Sequence, residues 1–476
     1  MSKMTPNQGI PNFAGHPNLA DEFPATMIQG LRSRLESVAP AHQQVISWLL
    51  ILPLLNMVAK GSLSVLSPAA TGFYYQNANL VRTSQGIRLP ILLNLLALAV
   101  FALAGNRKIW RTLINNKLVL STLLLAALSA LWSEDRLLTL RMSAELALTT
   151  FFACYLITRM SVENLMNFLM LVGTIAALAS AMLALFWPKY GIFQGYGGGA
   201  WQGICIQKNT LGLSMAFLLT PVFFVRKRIT TKLAYSALIL FMIAMSQSRG
   251  AWVETAGLLV FVSWLEIYRR FRSKESLLLI LTSIAVLAAI AAVCLLNLPT
   301  LAIMLGKDPT LTGRTAIYSA VFHTILKHPF FGYGFGAFWG FTQESTNIGM
   351  GIGWSNIGYA ENGVLELGLE LGALGVALVV LLFVRAFLQS IRLMTSAQYN
   401  ANIGWFSTVL VLEVLSNIDS GWLMTANQID WLLTLIAVLG LAMEMKKSKQ
   451  LAGVALTPSL ARPRLIPERI GAQLPA

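Results

Sequence analysis

Long apolar stretches separated by short polar ones run through this chain from about residue 45 to residue 445. Each is close to the roughly 20 residues of helix that cross a bilayer's hydrocarbon core. The pattern predicts twelve spans, at 45–65, 89–105, 117–132, 143–158, 164–187, 209–225, 232–247, 250–268, 276–296, 361–384, 403–420 and 427–444. It fails between residues 297 and 360, where Lys307, Asp308, Arg314, His323, Lys327 and His328 occur together. The expected fold is an all-α polytopic integral membrane protein of about 12 transmembrane helices, with a long extracytoplasmic loop before the tenth. A tail at 1–43, a membrane domain at 44–445 containing the loop 297–360, and a tail at 446–476 complete the expected organisation.

Composition agrees with the pattern: 56% of residues are hydrophobic and 12% charged, against about 25% charged in soluble domains. Charge adds orientation. Asn106 to Arg111, Arg226-Lys227-Arg228, Arg269-Arg270 to Lys274, Arg385 with Arg392, and Lys446-Lys447 to Lys449 fall on alternate loops. Short basic loops stay in the cytoplasm, so both termini are expected there and the long loop is expected outside. The net charge of +15 is then mostly topology, and no basic soluble module points to nucleic acid. Residues 1–43 lack the layout of a secretory signal peptide. Cys154, Cys205 and Cys294 have no metal-ligand spacing, and no signature implies a metal or cofactor.

Candidate chemistry gathers on the expected outer face. Arg249, in Ser246-Gln247-Ser248-Arg249-Gly250-Ala251, cannot shed its charge, and its planar fork suits a phosphate. In the loop, Arg314 precedes a segment with Ile317, Val321 and Ile325 four apart. That period predicts a helix, ended by Pro329 and the glycines beyond and lying along the membrane interface. Gly332-Tyr333-Gly334-Phe335-Gly336 has neither the preceding strand nor the following acidic partner of a dinucleotide loop. Tyr333, Phe335, Phe338, Trp339 and Trp354 have two readings, stacking on sugar rings or forming an interfacial aromatic belt. At the loop's exit stand Glu361, Glu366 and Glu370, the last two on one helical face. Carboxylates within a membrane normally face the protein or a wet cavity. Glu145, Glu254 and Glu413 also fall within expected spans.

Trp132-Ser133, Gln207-Lys208-Asn209-Thr210-Leu211-Gly212, Ser246 to Gly250, Gly313-Arg314, His328-Pro329-Phe330-Phe331-Gly332 and Glu361-Asn362-Gly363 follow one another in this order. The ordered set, over roughly residues 120–390, resembles the O-antigen ligase and polysaccharide polymerase family, most closely its exopolysaccharide polymerase branch. The resemblance implies a metal-independent glycosyltransferase of the bacterial inner membrane, with its active site on the periplasmic side. Its donor would be a glycan on undecaprenyl diphosphate, and its acceptor a second lipid-linked glycan or lipid A core. Other polysaccharide assembly and export proteins are the implied partners. A diphosphate leaving group without a metal needs fixed cations. Arg249 and Arg314 match the family's diphosphate-binding arginines, and Lys208 adds a third charge. The acceptor hydroxyl needs a base. The family commonly has a histidine before Asn-Gly, but this chain has Glu361, and Gln207 stands where relatives often have histidine before Lys-Asn. A carboxylate is a competent base in glycosyl transfer, so Glu361 takes the base role and His328 is its substitute.

Two other readings remain open on the sequence. In a transporter of lipid-linked glycan, Glu366 and Glu370 would relay protons while Arg249 and Arg314 guide an anionic lipid. In a catalytically silent relative serving an export complex, the missing histidine would mark lost activity.

Overall fold

A computed structural model describes residues 50–59, 107–194, 199–270, 314–339, 342–351, 358–418, 420 and 423–455. The chain divides into two compact units, Met1–Leu52 and Pro53–Ala476, and everything below concerns the second. Its helices are α1 (Arg107–Asn115), α2 (Lys117–Leu128), α3 (Arg136–Arg159), α4 (Val162–Phe186), α5 (Pro188–Gly191), α6 (Lys208–Leu219), α7 (Ile229–Met245), α8 (Arg249–Arg270), α9 (Arg314–Ile325), α10 (Gln343–Gly351), α11 (Gly363–Thr395), α12 (Ala401–Ser416) and α13 (Ile429–Ala455). Among the described residues the only β-type pairing is an isolated antiparallel bridge between Ile192 and Trp201. The all-α expectation holds there.

The count of spans does not carry over whole. Among the described residues α3, α4, α8 and α11 are long and apolar enough to cross a membrane. A bent pair, α1 with α2 and its following turn, makes five if counted as one span. The expected spans 89–105 and 276–296, and most of 45–65, lie outside the described residues. Three of the others are helices of less than a full span: α6 has 12 residues, α7 has 17 and α12 has 16. An apolar run of 10–14 residues is more often a helix buried in the protein than one facing lipid. In α6 every residue from Thr210 to Leu219 is buried, as befits a helix apolar on all sides. The last helix, α13, is apolar through Leu441 but carries Asp430 at its start and Glu444, Lys446 and Lys447 near its end.

Packing places α6 against α4, α7, α8 and α13, while α13 also lies against α3, α11 and α12. Trp405 on α12 and Trp431 on α13 are fully buried, and the Trp405 indole donates to Thr220 Oγ1 at 3.0 Å. Glu145 on α3 accepts from Arg141 Nε at 3.1 Å and from Asn427 Nδ2 at 3.0 Å.

Candidate functional site

The expected helix after Arg314 is α9, with Ile317 and Val321 buried. Its apolar stripe packs into a cluster with Tyr333, Phe338, Trp339, Ile348, Ala360 and Leu369, and α9 lies against α10 and α11. This settles the aromatic residues. Tyr333, Phe335, Phe338 and Trp339 are all at most 5% exposed, so they are core, and neither sugar stacking nor an interfacial belt describes them. Burial, with the Glu344 and Glu134 carboxylates nearby, pushes the Tyr333 phenol up to about 12. Trp354 lies outside the described residues.

Glu361-Asn362-Gly363 is a helix entry with a separate duty for each residue. The Asn362 side chain caps α11, accepting from the amides of Val364 and Leu365 at 3.0 and 3.1 Å, a contribution of about 1 kcal/mol. Its amide group also donates to the Ile418 carbonyl at 3.3 Å. Gly363 donates its N–H to the Asn417 carbonyl at 3.1 Å. A methyl group there would meet Asn417 Oδ1 at 2.0 Å, so no larger residue fits. Asn417 is held in turn by its amide, which donates to Glu413 Oε1 at 3.0 Å. Glu361 precedes the cap in a left-handed conformation, φ 54°, costly for a residue with a side chain. Its carboxylate accepts from Arg314 Nη2 at 2.8 Å, and its carbonyl accepts from the Tyr318 hydroxyl at 3.0 Å. The pair is partly open, with 25% of the Arg314 and 21% of the Glu361 side chain exposed. The structure thus joins two of the candidate residues across 47 positions of sequence (361 − 314).

The glycine-rich stretch after His328 works as a strap through a break in α11. At Gly372 the backbone leaves helical geometry with φ 62° and ψ −164°, a region essentially confined to glycine. The carbonyls of Leu369 and Glu370 accept from the amides of Tyr333 and Gly334 at 2.8 and 2.9 Å. Across the break, the amides of Ala373 and Leu374 donate to the carbonyls of Pro329 and Phe330 at 2.8 and 3.2 Å. Broken backbone at membrane depth is tolerated only when repaired in this way. A Cβ on Gly332 would meet Leu369 O at 2.5 Å, and one on Gly372 would meet the Phe330 carbonyl carbon at 2.4 Å. Trp132-Ser133 belongs to the same assembly. The Trp132 indole donates to Phe331 O at 3.0 Å, and Ser133 is what a side chain at Gly334 would strike.

Glu366, read from sequence as one half of a proton relay, has a structural task. Both its oxygens accept from the Trp339 indole, at 2.8 and 3.0 Å, and Oε2 also accepts from the Ala360 amide at 2.7 Å. A typical hydrogen bond contributes about 0.5–1.5 kcal/mol, and those from the Trp339 indole and the Ala360 amide bind the loop's interior to α11 one residue before Glu361. Glu370 is buried on the same helix. His328 is exposed, its ring edge-on to Tyr333 at 4.6 Å.

Lys208 and Arg249 form a second group, on neighbouring helices. Lys208 opens α6 and Arg249 opens α8, as Arg314 stands at the described start of α9. A cation at a helix N-terminus is opposed by the macrodipole, whereas an anion is drawn to that end. Lys208 Nζ lies 5.6 Å from the Phe193 ring. Arg249 is exposed and, among the described residues, makes no ion pair. Its turn is built from Ser246, whose hydroxyl accepts from Ser248 N at 3.2 Å, and Ser248, whose hydroxyl accepts from Ala251 N at 3.4 Å. Gly212 explains the contact between the two motifs, since a Cβ there would meet Ala251 Cβ at 2.6 Å and Ser246 Oγ at 2.9 Å.

Sequence reasoning missed Tyr318, Asn417 and the break at Gly372. Tyr318 lies inside the segment whose apolar period alone was read, and Asn417 follows the end of α12 with no motif around it. Gly372 carried a signal, a glycine in the interior of an apolar helix. Among the described residues no three His, Cys, Asp or Glu side chains gather where they could hold a metal ion.

Compared with known proteins, residues 234–380 match a family model described as O-antigen ligase. The stretch contains Arg249, Arg314, His328–Gly332 and Glu361–Gly363, while Trp132-Ser133 and Lys208 lie before it. No curated protein matches the chain.

Proposed function

From the O-antigen ligase domain carried by residues 234–380, we propose that this protein is a membrane glycosyltransferase that lengthens a glycan by transfer from a polyprenyl diphosphate. The acceptor hydroxyl oxygen bonds to the anomeric carbon of the donor. The bond from that carbon to the diphosphate oxygen breaks, its electron pair leaves with the diphosphate, and the hydroxyl proton passes to Glu361. Arg314 and Arg249 meet the charge on the leaving group, and Lys208 adds to it. Undecaprenyl as the lipid, the bacterial inner membrane as the location and the periplasmic face as the side of reaction belong to the same reading. So does polysaccharide polymerisation as the outcome.

The observation that carries this reading is the partly open Arg314–Glu361 ion pair at the loop's exit. A carboxylate held by a guanidinium is a poor acceptor of a proton, and a guanidinium held by a carboxylate is less available to phosphate. An arriving diphosphate offers Arg314 a doubly bonded alternative partner. The exchange releases Glu361 at the moment a base is required, so donor binding arms the acceptor side.

The test is reconstitution of the purified protein with lipid-linked oligosaccharide and mass analysis of the lipid products. Longer glycans on the polyprenyl lipid support polymerisation, and glycan on added lipid A core instead supports the ligase reading. Glycan that crosses the bilayer with unchanged length overturns both in favour of transport.

A further inference from the structure

At the other end of α11 from Glu361, a cleft of about 630 Å³ opens between α2, α11 and α13. Leu381, Arg385, Leu388 and Arg392 line it from α11, and Ala442, Lys446 and Lys449 from α13. Both sets follow helical spacing, so each is one face of its helix. Along α11 leucines and arginines alternate on this face, while along α13 it runs from apolar to basic in the chain direction. Leu381 and Leu388 are 52% and 50% exposed, which leaves an apolar floor interleaved with the cations. No acidic residue lines the cleft. Among the described residues Arg385, Arg392, Lys446 and Lys449 make no ion pair, whereas the neighbouring Lys447 is neutralised by Glu444 at 2.8 Å.

Four unneutralised cations around one cleft repel one another, and an anion between them removes that cost. Positive-inside topology places basic residues at these helix ends, but it does not require that four of them line one cleft. The apolar floor requires that the anion carry hydrocarbon, and basic pockets between membrane helices hold acidic head groups. Arg385 and Arg392 are about 10 Å apart along α11 at about 1.5 Å per residue, which is room for two phosphates.

The geometry points to a binding site for an anionic phospholipid with two phosphate groups. Its acyl chains lie on Leu381 and Leu388, and its phosphates lie between the arginines of α11 and the lysines of α13. The site is separate from the transfer chemistry, since it uses none of Lys208, Arg249, Arg314 or Glu361.

Native mass spectrometry of the full chain in detergent tests this, with diphosphatidylglycerol and phosphatidylethanolamine added in equal amounts. The two-phosphate lipid should be retained at least about tenfold over the zwitterionic one, as roughly 1.4 kcal/mol of preference requires. The double variant Arg392→Glu/Lys446→Glu should lose that preference, while Arg392→Lys, which keeps the charge, and Arg314→Ala, at the distant site, should keep it. Equal retention of both lipids by the parent, or undiminished preference in the double variant, overturns the proposal. So does displacement of the phospholipid by a polyprenyl diphosphate, if that displacement disappears in the double variant, because the cleft would then belong to a prenyl lipid.

Discussion

Arg314 and Glu361 face each other, yet they have different duties and should fail differently. Arg314→Ala removes a cation from the leaving group and leaves Glu361 without its partner. Polymer should disappear while the protein remains in the membrane, as read by glycan gels and immunoblotting of membranes. Arg249→Ala should give the same loss, and lysine at either position should rescue poorly because an ammonium lacks the planar fork. Full polymer in either alanine variant would remove that arginine from the site. Glu361→Gln keeps the size of the side chain but cannot take the proton, and should lower turnover by roughly 10²–10⁴. Glu361→His should retain turnover with a pH dependence moved toward that of imidazole, whose reference pKa is about 6.5 against about 4.3 for glutamate. Parental rates in Glu361→Gln would send the search for the base to His328.

At the scale of elements, the motifs that looked separate are parts of two contacts. Trp132-Ser133, His328–Gly336 and the break in α11 make one, and Gln207–Gly212 with Ser246–Ala251 makes the other. Helix α9 was legible because Ile317, Val321 and Ile325 repeat with the period of the helix that forms. The strap was not legible, because its partners are backbone groups, and backbone groups leave no side-chain pattern in a sequence. Its glycines were visible, but a run of glycines does not say what comes close to them. A pair of substitutions separates the cases. Gly372→Ala forces a side chain into a glycine-only conformation, at about 1–3 kcal/mol, and into the Phe330 carbonyl. It should lower the thermal unfolding midpoint in detergent clearly. Gly351→Ala, at a position where a Cβ meets nothing within 4 Å, should leave the midpoint close to the parent's. Equal midpoints would mean that the strap does not support α11.

For the whole molecule, hydropathy identified apolar helices, but among the described residues it does not separate those that cross from those that are buried, because apolar residues buried in protein and apolar residues facing lipid read alike. Helix α6 is the clearest case, with 12 residues and no face left for lipid. Candidate chemistry was legible in part for a related reason. Arg314 and Glu361 stood out as charges within and at the exit of the long polar loop, whereas Asn417 and Tyr318 support the helix entry through ordinary polar contacts. Orientation rests on the alternation of basic loops and is open to measurement. A single cysteine at the exposed position Asn347 should react with an impermeant thiol reagent applied from the periplasm, and one at Ser273 should not. Labelling of the Ser273 probe in intact cells would reverse the orientation and put the proposed site in the wrong compartment.

The break at Gly372 also bears on how the chain is made. An uninterrupted helix of 33 residues would be about 50 Å long, against about 30 Å of hydrocarbon. Neither side of the break can be released into lipid alone, because the exposed backbone groups would have no partner there. The strap precedes α11 in the chain and so leaves the ribosome first. The groups that satisfy the break are therefore synthesised before the helix that needs them. The strap and the two halves of α11 are then one unit of assembly, and neither half has all its backbone partners until the strap is in place.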